Sequence, residues 1–152
     1  MKIKGQNIRL AVEVEDSTTQ TKKTVYFAAS TTCSLNVNAD VEDASTKDDA
    51  VDGVAWRKQE VTGKNWDCSC EVQVVDDTEI GADGIGGFDL ADMVGAEVKV
   101  EVNLVNGTSN RTKDKGLYAG KALITAWQMT AGNRQTATAS VTLQGQGELA
   151  KA

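Results

Sequence analysis

The sequence predicts a mainly β fold, and three observations carry that reading. Residues 8–15, 32–41, 66–75, 96–106 and 136–144 each alternate apolar and polar side chains with the period of two that separates the faces of a strand. Proline is absent, so the fourteen glycines, with Asn-Gly, Asp-Gly and Gly-Gly steps, must make the turns. Only residues 88–94 have the pattern of a substantial helix, with Gly95 placed to end it. At 152 residues the chain suits one domain, 1–152, with a core of its own.

The opening strand puts Ile8, Leu10, Val12 and Val14 on one face and Arg9, Glu13 and Glu15 on the other. A polar turn at 16–21 leads to a short strand at 24–29. The next strand aligns Cys33, Leu35, Val37, Ala39 and Val41 in a core-facing row. Alternation then lapses from 42 to 65, where Val51, Val54, Trp56 and Val61 stand among polar residues. A connection of that length in a compact domain reads as a binding arm anchored by Trp56, or else as a surface loop packed on its own domain.

Trp66, Cys68, Cys70, Val72 and Val74 share one face of the following strand. Cys68 and Cys70 point the same way two residues apart, which is poor geometry for a mutual disulfide. Ala96, Val98, Val100, Val102 and Leu104 form another inward row, opposite Glu97, Lys99, Glu101 and Asn103. Beyond the Asn106-Gly107 turn, Arg111, Lys113 and Lys115 make a basic patch suited to contact with an acidic subunit or to solvation. From 118 to 129 apolar residues occupy both rows, Ala122, Ile124 and Ala126 on one and Leu123, Trp127 and Met129 on the other, as in a strand with two dry faces. The last strand turns Ala137, Ala139, Val141 and Leu143 inward and ends at Gly145-Gln146-Gly147.

Composition argues against an enzyme. There is no histidine, the commonest general base and metal ligand near neutral pH. Gly84-Ile85-Gly86-Gly87 lacks the dinucleotide fingerprint, and neither Gly63-Lys64 nor residues 116–121 make a phosphate loop. The acidic stretch 76–83 lacks the spacing of a calcium loop. Three cysteines without histidine predict core or interface thiols rather than a metal site, and no cofactor is expected. A net charge of −6 disfavours a protein that grips nucleic acid. No signal peptide and no apolar run of about 20 residues is evident, so synthesis in a cytoplasm and no membrane partner are expected.

The order and spacing of several segments resemble the major tail proteins of the TP901-1 type, which build the tail tube of long non-contractile-tailed bacteriophages. The resemblance runs through Lys4-Gly5-Gln6-Asn7-Ile8-Arg9-Leu10, Cys33-Ser34-Leu35-Asn36-Val37-Asn38-Ala39, and Val61-Thr62-Gly63-Lys64-Asn65-Trp66. Near the end it takes in Gly120-Lys121-Ala122-Leu123-Ile124-Thr125-Ala126-Trp127 and Ala139-Ser140-Val141-Thr142-Leu143-Gln144-Gly145. Two departures stand out: Asp49-Ala50-Val51-Asp52-Gly53 lengthens the arm, and Cys68 and Cys70 replace more usual small or apolar residues.

The resemblance implies a β-sandwich or flattened barrel with a flanking helix, and subunits that close into rings of six, which stack as the virion's tail tube for DNA ejection. Residues 42–65 then serve as an arm onto the adjacent ring, with Ser45, Thr46, Lys47, Asp48, Val54 and Trp56, along with Arg111, Lys113 and Lys115, as candidate inter-subunit contacts. Glu97, Glu101, Thr138, Ser140 and Thr142 are candidate lumen-facing residues, past which DNA would slide without specific binding. Tape measure, distal tail and tail terminator proteins are the expected partners. The competing expectation is a carbohydrate-binding or adhesion sandwich using Trp56 and Trp127 against sugar faces.

Overall fold

The computed structural model describes residues 2–15, 22–47, 50–80, 84–106 and 112–151. The strands are β1 (Ile8–Glu15), β2 (Lys22–Phe27), β3 (Ser30–Asp43), β4 (Ala50–Val51), β5 (Val54–Ala55), β6 (Gln59–Gln73), β7 (Gly84–Ile85), β8 (Glu97–Asn106), β9 (Thr112–Thr130) and β10 (Thr138–Lys151). Two short helices, α1 (Asp77–Ile80) and α2 (Gly87–Asp92), lie between β6 and β8. The fold is mainly β, as the alternation predicts. The polar turn expected at 16–21 lies outside the described residues.

Eight strands form one sheet in the order β3-β6-β10-β9-β8-β1-β2-β7. All neighbours pair antiparallel except β2 and β7. Strands β2 and β3 follow one another in the chain yet occupy opposite regions of this order, joined only through Ala28 and Ala29. Ala29 has φ 54°, a left-handed conformation that turns the chain sharply. At this corner Ala28 N–H donates to Ile85 O of β7 at 3.0 Å, while Ala29 O accepts Gln73 N–H of β6 at 3.0 Å. The corner thus ties both ends of the sheet together, and the sheet curls into a flattened barrel.

The curled face buries Leu10, Val12, Val25 and Phe27 against Trp66, Cys68, Cys70 and Val72, with Val100, Ile124, Val141 and Leu143 between them. Leu90 of α2 plugs this core, and Trp127 Nε1 donates to Gly87 O at 2.8 Å, docking the helix on the sheet. Trp66 has a less ordinary seat. Its indole lies over Gly120 and Gly145, where an added Cβ would collide with the ring, and its Nε1 donates to Gly147 O at 3.1 Å. Glycine is required at 145 by the approach of the aromatic ring, which fills the space that two missing side chains leave.

Several sequence expectations change. The two apolar rows of 118–129 come from a β-bulge rather than from two dry faces. Leu143 pairs with Ile124 but Thr142 pairs with Ala126, so Thr125 is the extra residue and the inward phase passes from Ala122 and Ile124 to Trp127. Strand β10 does not end at Gly145-Gln146-Gly147; it passes a second irregularity between Gln146 and Ala150 and continues to Lys151. Asn103, expected outside, is buried beside a small second cluster of Ala11, Tyr26 and Val105, and its Nδ2 lies 3.5 Å from Tyr26 Oη. Asn103 keeps the outward phase of Lys99 and Glu101, since the register of β1 with β8 is unbroken, and it is buried because the second cluster covers that face.

Two outcomes follow. Gly145→Ala drives a methyl group into an indole already held by its Nε1 bond to Gly147, and should lower unfolding stability by about 1–3 kcal/mol in urea titration. Burial pushes the Cys68 thiol up to about 12, with Cys33 and Asp67 adding to the rise. The folded core therefore keeps Cys68 protonated while the unfolded chain ionises it, so its contribution is complete below the ordinary thiol value and is lost as pH rises toward 12. Denaturation midpoints should fall over that alkaline window, and Cys68→Ala should flatten the fall.

Candidate assembly surface

The surface is built by strands that outrun the core. β3 and β6 are in register from Ser30↔Val72 to Asp43↔Gln59, but only the lower part of this pair covers buried residues. At Cys33↔Cys70, Leu35↔Cys68 and Val37↔Trp66 the β6 partner is buried. Beyond Trp66 the ladder leaves the core, and the same face carries Val37 at 61% exposure, with Val41 and Val61 also exposed. The row Cys33, Leu35, Val37, Ala39 and Val41 has the expected phase but is not a core row: Leu35 is half-buried and the others are exposed. The strand is simply longer than the core is deep.

The described residues of this segment, 42–47 and 50–65, accordingly form a hairpin rather than a loop. Ala44 N–H donates to Lys58 O at 2.8 Å, extending the ladder past Asp43. Ser45 is central to this extension: its Oγ accepts Lys58 N–H at 2.6 Å, and its own N–H donates to Asp43 Oδ1 at 2.9 Å. That backbone bond, aided by the Ser45 side chain and Arg57, holds the Asp43 carboxyl below the usual carboxylate range. At the tip, β4 and β5 pair Ala50↔Ala55 and Val51↔Val54 around Asp52 and Gly53. Both turn residues have positive φ, 52° and 78°, the geometry of a type I′ turn.

The tip is strongly apolar for an exposed element. Val51 and Val54 are exposed, and Trp56 is 66% exposed, the most of any large hydrophobic among the described residues. Of the other candidate contacts, Ser45, Thr46, Lys47, Lys113 and Lys115 are exposed, whereas Asp48 and Arg111 lie outside the described residues. The register Asn36↔Asp67↔Gln144↔Leu123↔Glu97 crosses five strands, and the arm and Lys113 and Lys115 leave the sheet on the same side of that row. Trp127, the other aromatic suited to a sugar face, is instead packed on the core and bonded to α2.

The candidate lumen residues sit on the face opposite the core. Strand pairing aligns Ser34, Ser69, Thr142 and Ala126 in one row, and Thr32, Glu71, Ser140 and Gln128 in the next. Ser140 and Glu97 are exposed, Thr138 and Thr142 half-buried. Glu101 is also half-buried, within 3.8 Å of Lys99 Nζ and 3.4 Å of Asn103 Nδ2. Apart from Glu71 and the Asp67 carboxylate, which accepts Asn36 Nδ2 at 2.9 Å, these central rows are short and uncharged. Sequence reasoning missed the contribution of β3 and β6, because Ser34 and Ser69 mean little until the register sets them beside Thr142.

Among the described residues no group of three or more histidine, cysteine or acidic side chains is arranged to hold a metal. The phage tail tube protein family model matches residues 2–151. No curated protein matches the sequence. Among solved structures, a chain in the tail of an empty gene transfer agent particle, refined helically with C6 symmetry, has a TM-score of 0.69 at 16% identity and covers 99% of each chain. The SPP1 tail tube gives 0.59 at 17% identity, over 97% of this chain and 78% of that one. A chain of the six-fold symmetrised anti-feeding prophage baseplate gives 0.60 at 13% identity, over 99% and 97%. These likenesses establish a shared fold, and the match over nearly the full length establishes the family: the chain belongs to the phage tail tube proteins, with a structural rather than an enzymatic role.

Proposed function

We propose that this chain polymerises as stacked rings of six to form the tail tube of a virion of the TP901-1 type, through which DNA is ejected. The observation that carries this reading is the free edge of β3. It is a strand of fourteen residues at the end of the sheet, and its apolar stripe continues into the open past the core. Such an edge invites pairing with another chain, and a soluble monomer would need to protect it.

The two ends of the sheet differ. One is the long β3 and the other is the two-residue β7. Unlike surfaces meet head to tail, and a head-to-tail contact closes into a ring when its rotation allows. The C6 symmetry of the gene transfer agent tail and the six-fold baseplate support six subunits. The arm, with Trp56 as its aromatic anchor, then seats on the adjacent ring, and Ser45, Thr46, Lys47, Asp48, Val54, Arg111, Lys113 and Lys115 line that contact. Aromatic anchors of this kind dominate interface energies.

The face bearing Thr138, Ser140, Thr142, Glu97 and Glu101 turns toward the lumen. Its central rows of short hydroxyl side chains carry no cation, and the lysines at its margin, Lys99 and Lys121, stand among Glu97 and Glu101, so a phosphate backbone meets no net positive patch as it passes. Tape measure, distal tail and terminator proteins are the partners within the lumen and at the tube's ends, and synthesis takes place in the bacterial host before incorporation into the virion.

Negative-stain microscopy and solution mass across concentration test assembly. Hollow tubes are expected from the full chain. Replacing residues 46–56 by a two-residue Asn-Gly turn should leave circular dichroism intact and abolish tubes; unchanged tubes would rule out the arm contact. Trp56→Ala should raise the concentration needed for assembly by about tenfold or more. For the lumen, Ser140→Lys with Thr142→Lys should leave tubes formed yet increase retention of short single-stranded DNA by about tenfold at low salt, an effect abolished at high salt. Equal DNA retention by both tubes would place this face elsewhere.

A further inference from the structure

Cys33 and Cys70 stand directly opposite each other on β3 and β6, with their Sγ atoms 2.7 Å apart. The third cysteine is set apart from this pair: Cys68 faces Leu35 across the ladder and is buried. Cys68 and Cys70 lie two residues apart on one strand, a separation that ill suits a disulfide. We propose that Cys33 and Cys70 form a redox-active thiol pair that closes to an intrachain disulfide by exchange with a small-molecule disulfide such as oxidised glutathione.

The surroundings divide the two roles. Cys33 is exposed and borders a surface groove with Gly5, Gln6, Ile8 and Arg9, so a small disulfide can reach it. Its thiol is held below its ordinary value, chiefly by the Cys70 hydrogen bond and also by the Leu10 backbone and the Arg9 charge, against the opposing effect of burial. Cys70 is buried, and its bond to Cys33 together with that burial pushes its thiol up. Cys33 is the attacking sulfur and Cys70 the resolving one.

In the first step the Cys33 thiolate attacks one sulfur of oxidised glutathione, its S–S bond breaks, and one glutathione thiolate leaves. In the second, Cys70 gives up its proton and its sulfur attacks the Cys33 sulfur of the mixed disulfide, expelling the second glutathione. Two protein thiols are oxidised, one glutathione disulfide is reduced to two thiols, and the two cysteine protons end on those thiols. The product staples the edge strand β3 to β6 and encloses the whole arm hairpin between residues 33 and 70.

When this happens rests on the tail-tube reading. A reducing cytoplasm keeps the pair open during synthesis, and disulfides persist on particles outside the cell. The chemistry itself is a property of the subunit, so its test is independent of assembly.

The full chain is incubated with oxidised glutathione, alkylated in denaturant, digested and analysed by mass spectrometry. The expected product has Cys68 alone alkylated and a Cys33–Cys70 linked peptide that dithiothreitol separates. Cys33→Ser should leave Cys68 and Cys70 both alkylated. Cys70→Ser should stop at glutathione held on Cys33, with circular dichroism confirming that each variant is folded. Three alkylated cysteines in the full chain, glutathione retained on its Cys33 without closure, or a linkage through Cys68 would overturn the proposal. Missing tubes with the expected linkage would count against the tail-tube reading alone.

Discussion

The structure depends on one sharp corner. Ala28 and Ala29 carry the chain from β2 to β3, from one end of the eight-stranded sheet to the other, and their backbone groups bond to β7 on one side and β6 on the other. With its ends joined, the sheet must face itself, and the inner rows of β1, β2, β6 and β10 bury one another. An alanine holds a positive φ there despite the cost of the left-handed conformation for a residue with a Cβ, of about 1–2 kcal/mol. The two hydrogen bonds and the core that closes behind them over-determine that conformation.

Closure also fixes how much of each strand lies within the core. β3 and β6 run 14 and 15 residues, while their buried contacts end near Trp66. What remains is a stiff hairpin carrying apolar side chains with no core to enter. In an isolated subunit that arrangement is a liability, through both the uncovered valines and the open edge. In the proposed tube the same residues would be covered by neighbouring subunits, so what burdens the monomer would favour the polymer.

The alternation of side chains made much of this legible in sequence. The bounds of β1 coincide with the expected 8–15, and Trp66, Cys68, Cys70 and Val72 occupy the core as their spacing implies. The failures share a cause. Periodicity gives the phase of a strand but not what lies above it, so Cys33 and Val37 fall on the correct face yet beyond or beside the core. The segment 42–65 loses alternation because, over its described residues, neither face is covered by the core. A bulge at Thr125 shifts the phase by one residue, and two half-patterns then imitate a strand that is dry on both sides. Of the candidate surface, Trp56 was recognisable as an unplaced aromatic, whereas Ser34 and Ser69 gain meaning only from a register that joins residues far apart in the chain.

The type I′ turn at Asp52 and Gly53 has a consequence for how such arms vary. A two-residue turn locks the pairing of β4 with β5, and side chains change face at each step along a strand. Adding one residue to each side would therefore carry the tip's valines to the opposite face, while adding two would restore them, about 7 Å farther out. Hairpins of this design come in discrete lengths, and divergence between related chains should proceed by paired insertions, four residues at a time.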